Sequence, residues 1–85
     1  MYAIVVYDVS VDRVGKVNKF LCQYLYWRQN SVFEGELRKS QLMEIINWFK
    51  ENLEDEDKII IYTLKSKRFL RRKEIGKSQP MTRIL

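Results

Sequence analysis

A single carboxylate closes the first apolar stretch of the chain and is its first candidate for chemistry. Residues 2–7 read Tyr-Ala-Ile-Val-Val-Tyr, and Asp8 follows them directly. A stretch that is apolar at successive positions is typical of a strand buried on both faces, so Asp8 would lie where that strand leaves the core. One carboxylate is a poor magnesium site, because the ion keeps several waters and takes carboxylates together with phosphate oxygens. Asp8 is therefore either a metal ligand completed by a second Asp8 across a two-fold axis, or a helix cap or turn residue.

The residue types missing from the chain exclude several kinds of active site. There is no histidine, which excludes Ser-His and Cys-His pairs and zinc sites that use histidine. The single cysteine, Cys22, cannot form an internal disulfide and falls within a helical pattern, so we expect a small buried apolar residue. A histidine-based active site is therefore ruled out, and a nucleophilic role for Cys22 is the less favoured alternative to a buried one.

Three further side chains are candidates for supporting roles around Asp8. Ser31 supplies a hydroxyl in a predicted strand that could lie beside Asp8, although most strand serines are structural. Tyr7 is adjacent to Asp8 and is expected to pack or to orient its neighbour rather than to react. Phe33 is expected in the core or in a dimer interface.

The net positive charge of the chain comes entirely from its C-terminal quarter. Residues 1–64 contain eight Lys/Arg and ten Asp/Glu, a balance of minus two, whereas residues 65–85 contain eight Lys/Arg and one Glu, a balance of plus seven. A cluster of this density favours contact with a polyanion, and duplex nucleic acid is the commonest to expect. The alternatives are a solvated basic edge and, for Arg13, an ordinary surface arginine. The candidate phosphate contacts are Arg13, Lys16, Lys65, Lys67, Arg68, Arg71, Arg72 and Lys73.

The elements that would position these groups begin with a strand, a helix and a second strand. Ser10 is expected to cap a helix that ends near Trp27. Residues 28–37 alternate imperfectly between apolar and polar, which predicts a strand, and Gly35 permits a bulge, a bend or a break into two short strands. The apolar stripe of the helix consists of Val14, Val17, Leu21, Tyr24 and Leu25.

A second helix and a further strand complete the predicted fold. Ser40 precedes a helix whose apolar residues recur every three or four positions, and the acidic turn 54–57 ends it. Residues 59–64 are β-branched and apolar at successive positions, which predicts a second central strand, and residues 71–76 could add one edge strand. This order predicts an α+β, ferredoxin-like βαββαβ sandwich with an additional C-terminal edge strand, in which both helices cover one face of a mainly antiparallel sheet.

The predicted sheet has one face that its own helices leave uncovered. Both predicted central strands are apolar on both faces, so the second face also needs a cover. A second copy of the chain is the economical cover, since a two-fold dimer joins identical surfaces. A chain of 85 residues also buries a modest fraction of its surface, which leaves it marginal as a monomer. We therefore expect a face-to-face homodimer, with a dimer mass in sedimentation or light scattering.

The chain reads as one domain without a linker or an internal repeat. We assign residues 1–77 to a single ferredoxin-like domain and residues 78–85 to a tail that is either disordered or docks on a partner through Ile84-Leu85. No stretch approaches the roughly 18 apolar residues of a membrane span, and no basic region precedes the N-terminal apolar stretch. The expected location is the cytoplasm, with no membrane partner.

Five short segments of the chain match one family when they are taken together. They are the strand ending in Tyr7-Asp8, the helix with Arg13 and Phe20-Leu21, residues 29–37 (Gln-Asn-Ser-Val-Phe-Glu-Gly-Glu-Leu), the strand 59–62, and Ile75-Gly76. These segments, which lie within residues 1–77, resemble the Cas2 family, the small CRISPR-associated proteins of spacer acquisition. The Ser-Val-Phe-x-Gly stretch at its distance from Tyr-Asp is the fairly specific part of the match.

The resemblance implies a ferredoxin-like homodimer that acts in CRISPR spacer acquisition. Such a dimer binds double-stranded DNA and bridges two dimers of the CRISPR integrase while a foreign fragment is inserted into the CRISPR array. The resemblance also implies an alternative function, because some members are described as metal-dependent nucleases of RNA or duplex DNA. The metal-binding aspartate of the family matches Asp8, which would be the catalytic residue of both protomers with Mg²⁺ or Mn²⁺. A last strand, around residues 70–76, typically crosses to the partner's sheet.

An RNA-binding domain with the same fold topology is the third alternative. Such domains carry stacked aromatic residues in a Lys/Arg-Gly-Phe/Tyr-type signature on a central strand. Residues 59–62 read Ile-Ile-Ile-Tyr and lack that signature. This alternative is therefore the weakest of the three.

Overall fold

The computed structural model describes residues 1–76 and contains the helices and strands in the predicted order. A short 3-10 turn at Lys67–Phe69 follows the last strand. The bounds are β1 Tyr2–Asp8, α1 Val11–Leu21, β2 Tyr26–Gln29, β3 Val32–Glu36, α2 Lys39–Asn52 and β4 Lys58–Leu64. The predicted ferredoxin-like βαββαβ arrangement is confirmed.

The four strands form one antiparallel sheet in the order β2-β3-β1-β4. β1 lies in the centre, as its apolar sequence predicts, and pairs with β3 on one side and β4 on the other. The prediction that residues 59–64 form a second central strand is wrong, because β4 pairs only with β1 within residues 1–76 and is an edge strand. The isoleucines of β4 point to both faces of the sheet, and both faces have apolar neighbours there, although the outer edge of β4 has no partner strand within residues 1–76.

One face of the sheet packs against both helices and forms the core. Alternate residues of β1, Ala3, Val5 and Tyr7, lie on this side and are almost fully buried. Cys22 is buried as predicted. The other buried members of the core are Val17, Leu21, Leu25, Phe33, Leu37, Ile45 and Phe49. The apolar stripes predicted for the two helices therefore pack mainly on the sheet.

The opposite side of the sheet, which we call the open face, is only partly covered. The β1 residues between the core positions lie here, and each shares the face with its partner on β4. Ile60 and Tyr62 of β4 are 39% and 54% exposed, and Tyr26 of β2 is 38% exposed. The β1–β4 pairs on this face are Tyr2 with Leu64, Ile4 with Tyr62, Val6 with Ile60, and Asp8 with Lys58.

The first helix ends earlier than its apolar spacing predicts. The expected end near Trp27 is wrong, because α1 stops at Leu21. Beyond it the backbone tightens: Gln23 N–H donates to the Phe20 carbonyl at 3.2 Å, and Leu25 N–H donates to the Leu21 carbonyl at 2.9 Å. This compact turn still buries Leu25 completely, so the apolar spacing continues although the helix does not.

The predicted strand 28–37 is a hairpin whose break lies at Asn30 rather than at Gly35. Asn30 has a φ of 41°, a left-handed conformation that asparagine adopts more readily than most residues. A bulge interrupts the β2–β3 pairing between Trp27 and Gln29. Gly35 lies inside β3, where an added Cβ would come within 3.3 Å of Leu25 Cδ2. The glycine therefore permits close packing instead of a turn.

The additional strand predicted for residues 71–76 is not formed. After the 3-10 turn these residues are irregular, because residues 70–74 lie over the open face and not along the edge of β4. They line a cleft of about 270 Å³ there with Ile4, Val32 and Glu34. The expected pairing of this segment with the sheet of a second copy stays a prediction about the dimer.

Two remaining predictions concern a membrane span and the C-terminal tail. No helix within residues 1–76 is long and apolar enough to span a membrane. The predicted tail, residues 78–85, lies outside the described residues together with Lys77.

Candidate active site and nucleic-acid interface

Asp8 lies at the end of β1 on the open face. Its side chain is exposed and forms no hydrogen bond or ion pair within residues 1–76. The helix-capping alternative does not hold, since the N-cap residue of α1 is Ser10. Lys58, the first residue of β4, pairs with Asp8 across the sheet, so both charged groups share the face. This corner of the sheet therefore offers an exposed carboxylate and an exposed ammonium group to an external ligand.

Tyr7 lies on the opposite face of the sheet from Asp8 and does not join it. Its ring is buried in the core, 6.2 Å from the ring of Phe33, and its hydroxyl donates to the Asn18 side chain. Burial raises the pKa of Tyr7, an effect that the neighbouring Ser31 side chain partly opposes. Tyr7 packs, as expected, rather than reacts.

Ser31 and Phe33 also act structurally. Ser31 lies in the hairpin turn rather than in a strand, and its carbonyl accepts the Tyr7 N–H at 3.1 Å. It thus ties the hairpin to the end of β1 beside Asp8. Phe33 has no exposed surface, so of its two predicted places it takes the core.

Arg13 is engaged within the chain and is not an exposed surface arginine. Its Nε donates to Asp57 Oδ2 at 2.5 Å, and its Nη2 donates to Asp57 Oδ1 at 3.0 Å and to Glu56 Oε1 at 3.0 Å. These bonds raise the pKa of Arg13, and the hydrogen bond from Arg13 is the main cause of the lowered pKa of Asp57. A phosphate would have to compete with two carboxylates for this guanidinium.

Most of the predicted phosphate contacts lie in one exposed stretch, residues 65–73, which we call the basic segment. Lys67 Nζ lies 5.8 Å from the ring centre of Tyr2, and the Arg68 guanidinium lies 5.1 Å from that of Phe69. Lys16 lies apart from them on the helical layer, 5.9 Å above the Trp48 ring. Within residues 1–76, no acidic partner neutralises Lys65, Lys67, Arg68, Arg71 or Lys73.

Arg72 is the exception in the basic segment, because it holds that segment to the sheet. Its Nη2 donates to both carboxylate oxygens of Glu34, at 2.6 and 2.5 Å. The Glu34 side chain is 2% exposed, and a buried carboxylate requires such a cation. Beside it, burial and the Glu34 charge raise the pKa of Tyr2. A second ion pair joins Arg28 of β2 to Glu74.

The basic segment and Asp8 lie at different ends of the open face. Arg72 binds Glu34, which lies across the sheet from Ile4, and Asp8 is four residues farther along β1. At about 3.4 Å per residue the two positions are about 14 Å apart along the strand. One chain therefore does not bring the candidate metal ligand and the basic segment together, although Arg13 binds Asp57 near the loop that follows Asp8.

Sequence reasoning missed three residues that matter at these sites. Lys58 and Asp57 directly precede the isoleucine stretch, and an antiparallel register would have placed Lys58 opposite Asp8. Glu34 is an acid inside a predicted strand, which is a signal for a buried partner. None of the three could be assigned before the strand pairing was known.

The described residues supply only part of a metal site. Residues 1–76 contain no group of three or more His, Cys, Asp or Glu side chains placed to hold an ion. The oxygen chemistry of Asp8 suits Mg²⁺ or Mn²⁺, which bind through carboxylates and phosphate oxygens. The exposed carboxylate of Asp8 fits such an ion when a second Asp8 faces it.

Comparison with known proteins identifies the family. The family described as CRISPR associated protein Cas2 matches residues 1–72 of the chain. The chain belongs to the Cas2 family. This confirms the resemblance on which the sequence-based expectations rest.

Individual members of the Cas2 family are similar over most of their length. A protein of Methanosarcina acetivorans named CRISPR-associated endoribonuclease Cas2 is 46% identical over 77 residues, covering 89% of this chain and 88% of its own. A protein of the same name from Thermococcus kodakarensis is 54% identical over 67 residues, covering 78% and 79%.

Solved structures support the same assignment. A Cas2 crystal structure superposes with a TM-score of 0.87 at 45% identity and covers all of this chain and 98% of its own. Streptococcus pyogenes Cas2 gives a TM-score of 0.76 at 27% identity, covering 89% of this chain and all of its own. The sheet order and helix placement are therefore those of Cas2 proteins.

Proposed function

We propose that this chain forms a homodimer that binds duplex DNA and serves as an adaptor in CRISPR spacer acquisition, between two dimers of the integrase. The observation that carries the proposal is the basic segment, in which five cations lack an acidic partner within residues 1–76. Cations of this kind bind phosphates and read no bases, so the expected binding is salt-dependent and largely independent of sequence. An adaptor that handles foreign fragments of any sequence needs this property.

The dimer in this proposal uses the open face. Ile60 and Tyr62 are about half exposed on a sheet face that residues 1–76 cover only in part, and contiguous apolar patches mark association sites. A two-fold axis through this face would bring the two Asp8 residues toward each other. It would also let the basic segments of both copies contribute to one surface.

A DNA-binding assay tests the adaptor. The variant Lys67→Gln, Arg71→Gln, Lys73→Gln removes three unpaired charges of the basic segment. The control Lys19→Gln, Lys39→Gln, Lys50→Gln removes three exposed lysines of the helical layer. The first variant should reduce the salt slope of log K by about 2.7, at about 0.9 for each phosphate contact, and the control should leave it unchanged. Equal slopes for both variants, or sharp sequence selectivity, would refute the proposed surface.

The integrase contact has its own test. The apolar end of the tail, Ile84-Leu85, suits docking on a partner. A chain truncated after Gly76 should therefore co-purify less well with the integrase while keeping its dimer mass. An unchanged complex would refute a role of the tail in that contact.

A second function is favoured by the exposed Asp8 and by the relatives named endoribonuclease. In this function the Asp8 carboxylates of both copies hold one Mg²⁺ or Mn²⁺. The ion would activate a water and neutralise charge on the attacked phosphate of RNA or duplex DNA. Lys58, on the same face, would bind a neighbouring phosphate, and the basic segment would hold the strand.

Cleavage assays on labelled RNA and duplex DNA separate the two functions. Asp8→Asn keeps the shape of the side chain and removes its charge, so metal-dependent cutting should disappear while binding remains. Asp55→Asn makes the same chemical change at an exposed residue of the acidic turn and should cut like the wild type. Tight duplex binding without cutting, unchanged in Asp8→Asn, would leave the adaptor alone and refute the nuclease.

A further inference from the structure

A buried carboxylate in the turn before β4 binds the loop that follows Asp8. Asp57 Oδ1 accepts the Ser10 N–H at 3.1 Å, and Asp57 Oδ2 accepts the Glu54 N–H at 3.0 Å. The two bonds from Arg13 described above complete the set, and the Asp57 side chain has no exposed surface. An ionised carboxylate has about four acceptor sites. The four donors therefore use the full capacity of Asp57.

These bonds close a ring around the backbone of Asp8. Asp8 pairs across the sheet with Lys58, which directly follows Asp57 in the chain. Ser10, whose N–H is bonded to Asp57, comes two residues after Asp8. Asp8 and Ser10 are thus attached to two consecutive residues, Lys58 at the start of β4 and Asp57 in the turn before it. The Asp8 side chain makes no bond of its own within residues 1–76, so the structure holds it only through its backbone.

We propose that Asp57, held by Arg13, is a positioning residue that fixes Asp8 and Lys58 at this end of the sheet so that Asp8 can bind a divalent cation. The inference rests on the proposed metal role of Asp8. Groups that orient metal ligands without touching the ion change metal affinity by about 10- to 100-fold when they are mutated. A purely structural Asp57 would instead lower stability and leave the metal affinity of the folded protein unchanged.

Two variants loosen the ring in different ways. Asp57→Asn keeps the size of the side chain but removes its charge and puts an NH₂ donor where an oxygen now accepts N–H groups. Arg13→Lys keeps the positive charge but loses the planar fork that binds both Asp57 oxygens, and it serves where Asp57→Asn does not fold. The control is Asp55→Asn, in the same turn, whose side chain is exposed and makes no ion pair within residues 1–76.

The measurement is Mn²⁺ binding to the intact purified protein, followed by the electron paramagnetic resonance signal of free Mn²⁺. It is made at a temperature where circular dichroism shows every variant folded. Asp57→Asn and Arg13→Lys should each weaken binding by about tenfold or more, and Asp55→Asn should bind like the wild type. Asp8→Asn, measured in parallel, should not bind.

Two other outcomes would contradict either the positioning role of Asp57 or the metal role of Asp8. If the folded Asp57→Asn and Arg13→Lys proteins bind Mn²⁺ like the wild type while Asp8→Asn does not, the positioning role is overturned and the metal role of Asp8 stands. If Asp8→Asn binds Mn²⁺ as well as the wild type, or the wild type binds none, the metal role fails and the positioning role with it.

Discussion

The end of β1 and the basic segment carry the two sets of candidate functional residues, and the fold holds them in opposite ways. At Asp8 the backbone is paired in the sheet and its loop is bonded to the buried Asp57. The basic segment has no regular structure after its 3-10 turn and is held to the sheet through Arg72. The end of β1 therefore presents a single carboxylate on a backbone that is paired in the sheet. The basic segment presents several cations on an irregular backbone.

This difference matches what each kind of chemistry requires. Metal binding and phosphodiester cleavage depend on positions that are correct within a fraction of an ångström, so they suit a rigid element. Contact with a polyanion depends on the number of charges near the phosphates and tolerates variation in their placement. The comparison predicts that changes near Asp8 act on geometry and that changes in the basic segment act on affinity.

The largest expected effect comes from separating the two copies. Ile60→Glu places like charges across the proposed two-fold interface, where such pairs cost several kcal/mol, so the dimer dissociation constant should rise by about a hundredfold or more. Mn²⁺ binding should be lost with the dimer, while each chain keeps its basic segment and its salt-dependent affinity for DNA. Sedimentation velocity and a binding titration measure both effects.

The control for this change is Met43→Glu, which alters an apolar residue of similar exposure on α2. It should keep the dimer mass and the Mn²⁺ affinity. A dimer that persists in Ile60→Glu would place the interface elsewhere.

The next effect concerns the buried ion pair that holds the basic segment to the sheet. Arg72→Met removes the cation that pairs with buried Glu34, and breaking a buried pair costs about 3–5 kcal/mol. Since Arg72 is 29% exposed, we expect about 2 kcal/mol of lost stability, or about a thirtyfold change in the unfolding equilibrium. Urea unfolding measures it, with Lys73→Met as the control that should change little. Equal stabilities would mean that the segment is not attached through Arg72.

Acid titration probes the fixed region. The pKa of Asp57 is lower in the folded chain than the ordinary value of about 3.9. The ionised carboxylate therefore stabilises the folded chain above that pH, and this contribution is lost as the pH falls. Unfolding of the wild type in acid should therefore take up more protons than unfolding of Asp57→Asn, by at most about one per chain. Stability measured at several pH values below about 5 tests this. The same acid dependence in both proteins would contradict the Asp57–Arg13 bond.

The smallest effect is that of one basic side chain. Lys73→Gln should weaken duplex binding a few-fold and reduce the salt slope by about 0.9, since it removes one phosphate contact. It should leave Mn²⁺ affinity unchanged, because the basic segment is bound to the sheet opposite Ile4, about 14 Å from Asp8 along the strand. Lys50→Gln on α2 is the matched control. A change in Mn²⁺ affinity in Lys73→Gln would contradict the independence of the basic segment and Asp8.

The fold was largely predictable because hydrophobic spacing decides which elements form. The apolar stretch ending at Asp8 placed β1 in the centre of the sheet, and periodic apolar residues placed both helices. Element ends were less predictable: Leu25 keeps the helical spacing although it packs from a turn. The isoleucines of β4 suggested a central strand, since composition reports apolar surroundings and not whether the outer edge is paired.

The candidate site was predictable only where one residue acts alone. Asp8 could be selected from its place at a strand end, and Cas2 family resemblance supported it. The partners of Arg13 and Arg72 could not be predicted, because Asp57 and Glu34 are more than 35 positions away in the chain and meet them only through the folded sheet. Burial decides whether an arginine binds within the chain or faces a ligand, and sequence alone does not report it.

In the proposed nuclease, each chain carries half of a metal site and a second copy completes it. The most direct test is the stoichiometry of Mn²⁺ bound to the purified dimer, measured by equilibrium dialysis of the wild type and of Asp8→Asn. The account predicts one ion for every two chains in the wild type and none in the variant. One ion for each chain, or the same amount bound by Asp8→Asn, would contradict it.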